Sequence, residues 1–420
     1  MIVVHRILVH RTLIQMKETK IFIPEYVERI IKRLEAYGFE AFVVGGCVRD
    51  SILGIMPHDW DVCTSALPEQ MAEVLGGEFH IIPTGIKHGT VTAVAHGEAA
   101  EITTFRTDGL YTDCRRPESV SFVGDVKDDL SRRDFTINAM AYNLKRGLVD
   151  LFGGREDLKR GIIRCVGDAE KRFSEDALRI LRALRFAAVF GFDVECETDR
   201  AIRKKRDLLS LISSERIFSE LKKLLNAECP SKILINYREV FEVIIPECFS
   251  VTSFSEVNMK AADLVADRPY LRLAAVLGAA EDTDVIMRRL KSDNEMRKTV
   301  ADVCKAVKQP PVTDRIAARQ MIRQYGAETA AAAAELRPAL AEAAGGDAQA
   351  EKKAEEELCG VIGRGDCCTI GSLAVGGRDL LGLGIEGQRI GLVLNRLLDG
   401  VILEKIPNDR DALLRAAKTI

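Results

Sequence analysis

The residues best suited to chemistry lie in Val43-Val44-Gly45-Gly46-Cys47-Val48-Arg49-Asp50 and, downstream, in Asp59-Trp60-Asp61. In an extended segment residues i and i+2 project to one face, so Asp59 and Asp61 present two carboxylates side by side. Such a pair repels unless a cation lies between its members, and hard carboxylate oxygens suit Mg2+. The Gly45-Gly46 turn leaves the backbone bare enough to approach a phosphate. A phosphate cradle followed by a divalent-metal clamp is apparatus for handling a nucleoside triphosphate. Glu101, in Glu101-Ile102-Thr103-Thr104-Phe105-Arg106, is a candidate third carboxylate at that metal. A solvent-facing strand acid is its competing reading.

These side chains need elements to hold them. The apolar run 41–44 reads as a buried strand broken by the two glycines, with a short helix after it over 48–53. A helix is predicted over 23–37 from Val27, Ile30, Ile31 and Leu34, with Pro24 in its first turn and Gly38 as its stop. The Asp-bearing strand falls at 59–63. A helix over 68–75 follows, with Thr64 or Ser65 as its cap. Val-, Ile- and Thr-rich segments near 79–82, 90–95 and 99–105 read as strands turning at Gly85, Gly89 and Gly97. Residues 107–131 lack periodicity and read as a long functional loop. Arg132-Arg133-Asp134-Phe135-Thr136-Ile137-Asn138-Ala139-Met140-Ala141 joins polar groups to an apolar helical face. A strand at 149–152 ends in Gly153-Gly154.

Beyond residue 168 the pattern is helical almost throughout. On a helix through Glu175-Asp176-Ala177-Leu178-Arg179, each three-residue step drifts about 60°, so Asp176, Arg179 and Arg182 fan across one side and Arg185 lies further round. Solvated Asp–Arg pairing along one helix is the plainer alternative. Ser213 is a predicted cap for a helix at 214–221. The Ala/Glu-rich stretch 327–358 reads as a helical pair broken at Gly345-Gly346, and helices at 387–399 and 408–418 suggest a small C-terminal domain.

Composition narrows the class. Apolar residues make up 47% and charged residues 29% of 420, as in ordinary globular chains. No uncharged apolar run reaches the roughly 18 residues a spanning helix needs, so no membrane partner is expected. The apolar start of the chain is interrupted by His5, Arg6, His10 and Arg11 and carries no signal-peptide pattern, and Met16 is an alternative start. Eleven cysteines without a C-x-x-C pair argue against zinc or disulfide frameworks and for a reducing cytoplasm. His80, His88 and His96 have no metal-ligand spacing. Net charge is −3, yet residues 132–206 hold 18 Lys/Arg against 12 Asp/Glu, an excess of 6 that is compatible with a polyanion. Other phosphate binders are excluded: positions 45, 47 and 50 are Gly, Cys and Asp rather than G-x-G-x-x-G, and no Gly-Lys pair permits a Walker loop. A Gly-Gly turn, a D-x-D pair and arginine-rich helices remain, the parts that phosphoryl or nucleotidyl transfer requires.

Gly45-Gly46-Cys47-Val48-Arg49-Asp50 with Asp59-Trp60-Asp61, then 132–139, then Glu175-Asp176-Ala177-Leu178-Arg179 resemble successive motifs of the class II CCA-adding tRNA nucleotidyltransferases and bacterial poly(A) polymerases. Both belong to the polymerase-beta-like nucleotidyltransferase superfamily. Gly153-Gly154-Arg155-Glu156-Asp157-Leu158 is similar to the family's hinge motif, and Ser214-Glu215-Arg216-Ile217 to its fifth. The resemblance covers roughly residues 22–225 in order and spacing, and 376–418 looks like the tail of bacterial CCA-adding enzymes.

The resemblance implies an α+β fold: an N-terminal extension (1–21), a mixed-sheet nucleotidyltransferase head (22–160), and an all-α neck (161–230), body (231–360) and tRNA-binding tail (361–420). Asp59 and Asp61 would bind two Mg2+ ions that activate the primer 3′-hydroxyl and neutralise departing pyrophosphate. Gly46 and Arg49 would contact the triphosphate, and Arg133, Asp134 and Asn138 the sugar and phosphates. Asp176 and Arg179 would read the Watson–Crick edge of the incoming base, and Arg182 and Arg185 would bind further phosphates. A carboxylate accepts from the amine that C and A share, and a guanidinium donates to a ring acceptor, so U and G are refused. The partners implied are tRNA lacking a complete 3′ CCA, CTP and ATP, with no obligate protein partner. The loop 107–131 corresponds to a loop thought to help the switch from C to A, which disfavours pure CC addition. Poly(A) synthesis shares the head. A non-catalytic nucleotide- or RNA-binding regulator is a third possibility, against which the intact Asp59 and Asp61 speak.

Overall fold

The computed structural model describes residues 21–109, 119–250 and 254–420. The chain folds as two compact units that meet in sequence between Pro246 and Glu247.

The first nine strands of the first unit are, in chain order, β1 (Ala41–Val44), β2 (Asp61–Thr64), β3 (His80–Gly85), β4 (Thr90–Ala95), β5 (Glu98–Thr104), β6 (Arg106–Asp108), β7 (Val120–Phe122), β8 (Met140–Asn143) and β9 (Gly147–Asp150), and a short parallel pair, β10 (Ile162–Ile163) with β11 (Asp193–Val194), comes after them. Seven of them form one sheet in the order β3-β4-β5-β2-β1-β8-β9, and β6 pairs with β7 apart from it. Within the sheet every pairing is antiparallel except β2 with β5, which run parallel. All four residues of β1 are buried, as its unbroken apolar run requires of a central strand. Helix α1 (Glu25–Ala36) packs Val27, Ile30, Ile31 and Leu34 inward at the predicted spacing. Its end is a Schellman closure: Gly38 at φ 88° lets the Phe39 amide reach Leu34 O at 3.1 Å and its own amide reach Glu35 O at 3.0 Å. Burying those four aliphatic side chains contributes about 1.5–3 kcal/mol each as an upper bound.

Helix α2 (Gly46–Ile52) begins two residues earlier than predicted, immediately after the glycine turn. Helix α3 (Pro68–Leu75) has the predicted bounds but a different start. Thr64 Oγ1 donates to Glu40 O at 2.6 Å and Ser65 Oγ accepts from the Glu40 amide, so neither caps the helix. Gln70 reaches back instead, accepting from the Leu67 amide at 2.8 Å.

Two larger corrections concern residues 107–141. The predicted loop is bounded by the small β6–β7 ladder and ends in helix α4 (Val126–Ser131), capped by Asp125. Strands of three residues carry too little alternation to register as strands. The remainder of that loop, 110–118, lies outside the described residues. In place of the apolar helical face expected over 132–141 stands a 3-10 turn (Thr136–Asn138) followed by β8, whose four residues are all buried. A strand covered on both sides loses the period of two that would distinguish it.

Helices α5 (Gly154–Arg160), α6 (Ala169–Glu175), α7 (Leu178–Phe190), α8 (Cys196–Lys205) and α9 (Ser214–Leu225) follow. Ser213 stands before α9 without a side-chain capping bond. The second unit is helical among its described residues. The Ala/Glu-rich pair runs Ala327–Ala343 and Gln349–Gly363, broken at Gly345-Gly346 as predicted. Helices Gln388–Ile402 and Arg410–Ala417 share a core of Val393, Leu397, Leu398 and Leu413 with Leu380. No helix among the described residues is long and apolar enough to cross a membrane.

Candidate active site

The site grows from the first residue of β2. The strand begins at Asp61, so Asp59 precedes it rather than lying on it. The alternation persists nonetheless: Asp59 and Asp61 are exposed and Trp60 between them is buried. Parallel pairing places Glu101 of β5 opposite Asp61. The Asp61 carboxyl is pushed above its ordinary value, first by the recess in which it sits, then by the charges of Glu101 and Asp59, with Arg133 opposing. Glu101 thus stands within electrostatic reach of Asp61. Among the described residues no three His, Cys, Asp or Glu side chains are gathered into a closed metal-holding group. Two carboxylates in an open clamp fit a divalent ion that takes its other ligands from water and substrate oxygens, as Mg2+ commonly does. Cys47 offers no competing chemistry. It is buried, donates to Val44 O at 3.4 Å, and burial pushes its thiol up to about 11.

The glycine turn is shaped by its neighbour. Gly45 has φ 80°, and a Cβ there would lie 2.8 Å from Arg133 Nη1. Only glycine therefore lets the Arg133 guanidinium lie against the turn. Arg133 is held from behind by Asp129, whose fully buried carboxylate accepts from Arg133 Nη2 at 3.1 Å and from Arg132 Nη2 at 2.7 Å. Burial alone would raise the Asp129 carboxyl, but these two guanidinium groups outweigh it and hold it low.

A buried chain of hydrogen bonds runs on from Arg49. Arg49 Nη1 donates to Asn138 Oδ1 at 2.6 Å, and Asn138 Nδ2 donates to Asp134 Oδ1 at 3.1 Å. Arg182 on α7 donates to Asp134 Oδ2 through Nε at 2.8 Å and Nη2 at 2.6 Å. Burial would raise Asp134, yet Arg182 with these bonds holds it well below the usual carboxylate range. Arg49, Asp134, Asn138 and Arg182, all predicted site residues, are thereby one network.

Asp176 and Arg179, the residues predicted to read the base, are arranged differently from the prediction. Asp176 is not on the same helix as Arg179: α6 ends at Glu175, Asp176 has φ −139° and ψ 103°, and α7 starts at Leu178. The Asp176 side chain turns back to accept from the Leu178 amide at 3.1 Å. Such local bonding by Asp competes with helix and explains the break. Both Asp176 oxygens accept from Arg216 of α9, at 2.8 and 3.3 Å. Arg179 pairs with Glu175 at 2.8 Å and donates to Arg172 O and Arg132 O at 3.3 and 3.2 Å. Arg185 faces Glu220 of α9 at 2.8 Å. The predicted alternative, Asp–Arg pairing along one solvated helix, does not describe Asp176, Arg182 or Arg185, because each finds its partner on another element.

Arg216, Asp129, Glu175 and Glu220 hold predicted site residues although sequence reasoning assigns them no site role. Asp129 and Glu175 lie three or four residues from arginines of the site, a spacing that signals pairing on a helix. Nothing local marks Glu220.

Residues 41–164 match the family model described as the poly A polymerase head domain, and 268–417 the one described as tRNA nucleotidyltransferase domain 2. Residues 191–250 match a model described as "Probable RNA and SrmB-binding site of polymerase A". A CCA-adding enzyme of Ligilactobacillus salivarius is 35% identical over 403 residues, covering 93% of this chain and 95% of that protein. The crystal structure of the Bacillus stearothermophilus CCA-adding enzyme in complex with CTP superposes with a TM-score of 0.78 at 31% identity, over 95% of this chain and 98% of that one. The Thermotoga maritima CCA-adding enzyme complexed with tRNA shares the fold, with a TM-score of 0.64 at 23% identity over 99% and 98% of the two chains.

Proposed function

Since the chain belongs to the family of CCA-adding enzymes, nucleotidyltransferases whose head is that of poly(A) polymerases, we propose that it adds or repairs the 3′-terminal CCA of tRNA. It uses CTP and ATP, needs no nucleic-acid template and releases pyrophosphate. The observation that carries this reading is that the likeness to CCA-adding enzymes is not confined to the head but runs over 93% of this chain, with a tRNA nucleotidyltransferase domain matched at 268–417. The shared head is what favours poly(A) synthesis as the second reading.

The side chains divide the work. The bare turn at Gly46 and the Arg49 guanidinium face the triphosphate, and Arg133, Asp134 and Asn138 hold the sugar and phosphates. Arg182 and Arg185 extend the phosphate grip. Asp176 and Arg179 read the base edge. Arg216 and the Leu178 amide both bond to Asp176 Oδ1, and Arg216 alone bonds to Oδ2, so of about four carboxylate lone pairs one remains, on Oδ2, for the amine that C and A share. Glu175 fixes Arg179 so that its donors present one orientation. A divalent ion, Mg2+ in our reading, would be held by Asp59 and Asp61 with Glu101 alongside, and supplies Lewis-acid activation of the primer hydroxyl and charge neutralisation at the leaving group. The head (22–160), neck (161–230), body (231–360) and tail (361–420) follow the family plan, with the tail taking tRNA. The cytoplasm, where tRNA and reduced thiols coexist, is the compartment this implies.

The test is extension of tRNA lacking its 3′ end, and of a generic oligoribonucleotide, with CTP and ATP supplied together. Addition that stops after C-C-A on tRNA supports the proposal, and long A tails on either RNA select the second reading. Arg179→Ala should lower discrimination against UTP and GTP by at least about tenfold, the scale of one good base-edge contact. Competition among the four nucleotides measures this, and unchanged selectivity removes Arg179 from base reading.

A further inference from the structure

Three guanidinium groups gather around one aromatic ring. The Phe186 centroid lies 4.1 Å from the Arg185 guanidinium carbon, 5.0 Å from that of Arg49 and 5.6 Å from that of Arg182. Arg49 is also 5.0 Å from the centroid of Phe190. The ring itself is fixed. Phe190 stacks parallel to it at 5.8 Å, and Phe135, which follows Asp134, meets it edge-on at 5.8 Å. Phe186 is buried, one helical turn beyond Arg182 on α7.

Three cations this close repel, and the crowding is felt: burial first, then Arg182 and Arg49, lower the Arg185 guanidinium, with Glu220 opposing. Two features offset the repulsion. Each arginine has its own carboxylate: Asp50 at 2.8 Å from Arg49, Asp134 from Arg182, and Glu220 from Arg185. Those carboxylates lie on three separate elements and do not set the distances between the cations. The electron-rich ring is shared by all three, and a ring quadrupole attracts a cation over its face.

We propose that Phe186 is a positioning residue for the triphosphate, its ring electrostatics holding Arg49, Arg182 and Arg185 at the spacing that three phosphoryl groups require. The inference rests on the nucleotidyltransferase reading of this site. It adds that the phosphate grip is organised from α7, the helix whose first turn carries Arg179. Arg49 comes from the head strand-turn-helix and would lose its orientation without the ring.

Phe186→Leu removes the ring, and incorporation of pentafluorophenylalanine at position 186 keeps its shape while reversing its quadrupole. Both full-length proteins are compared with the unmodified one, by calorimetric binding of CTP and of CMP and by steady-state kinetics on tRNA. The expected result for both is a KM for CTP and ATP raised about tenfold, as loss of several cation–π contacts implies. The kcat should stay within about twofold and CMP affinity should be nearly unchanged, since a single phosphate does not need three spaced cations. The fluorinated protein should melt like the unmodified one. If it binds CTP as the unmodified protein does, Phe186 is core packing alone and the inference falls. Equal losses for CTP and CMP would overturn it too, because the ring would then serve the nucleoside. Failure of the unmodified protein to extend any RNA would instead defeat the functional reading, while the CTP-against-CMP comparison still decides the role of Phe186.

Discussion

Asp61→Ala is expected to abolish nucleotide incorporation, with turnover reduced by more than about a thousandfold, and Asp59→Ala should do the same. Asp59 and Asp61 are exposed residues on either side of the buried Trp60, so their removal opens no cavity, and Arg133, which feels the charge of Asp61, keeps its own bond to Asp129. The protein should keep its thermal midpoint and its affinity for tRNA. The physical reason is visible at Asp61, whose carboxyl is raised by its recess and by the repulsion of Glu101 and Asp59. A protein folding for stability alone gains nothing from that repulsion, and a bound cation relieves it. Gel-shift binding of tRNA alongside an incorporation assay checks the prediction. Turnover like that of the unmodified protein in either variant would end the metal assignment. Glu101→Gln separates the third carboxylate from the pair: a loss as large as that of Asp61→Ala would make Glu101 a full ligand.

The second large effect is expected from Asp134→Asn. Asp134 is buried and accepts from Arg182, Asn138 and the Phe135 amide. The variant keeps the shape and removes the charge that answers Arg182. Breaking one side of a fully buried ion pair costs about 3–5 kcal/mol; the Arg182 side chain is 34% exposed, so about 1–3 kcal/mol is expected here, and urea unfolding of the two proteins measures it. Nucleotide KM should rise as well, since Asn138 and through it Arg49 lose their anchor. The pH dependence identifies the cause. The folded-state pKa of Asp134 is depressed, so its stabilisation is fully present above the unfolded value of about 3.9 and is lost as pH falls through the folded value. The stability gap between the two proteins should therefore be constant above about pH 5 and narrow as pH falls below about 4. A gap that widens in acid would show that Asp134 does not act through its charge.

The two predictions differ in what their sites reveal beforehand. Asp59 and Asp61 announce themselves by a two-residue spacing next to a strand. Asp134 looks like any acid beside two arginines until α7 brings Arg182 to it.

The same division holds across the molecule. Pieces with local causes are legible in the residues alone: α1 from its apolar period, β1 from its apolar run, α3 to the residue, the paired carboxylates, and the glycine turn. The family likeness is legible too, because motifs keep order and spacing along a chain. The separation of Asp176 from the helix of Arg179 is not, since helical spacing continues through a residue whose side chain closes a local turn. Who pairs with whom is settled only in the folded chain: Asp134 with Arg182 across 48 residues, Asp176 with Arg216 across 40, and Glu220 with Arg185. The physical reason is range. Backbone period and capping act over a few residues and leave a trace in the sequence. A guanidinium finds its carboxylate through space, and any of several acids along the chain would satisfy the same local pattern.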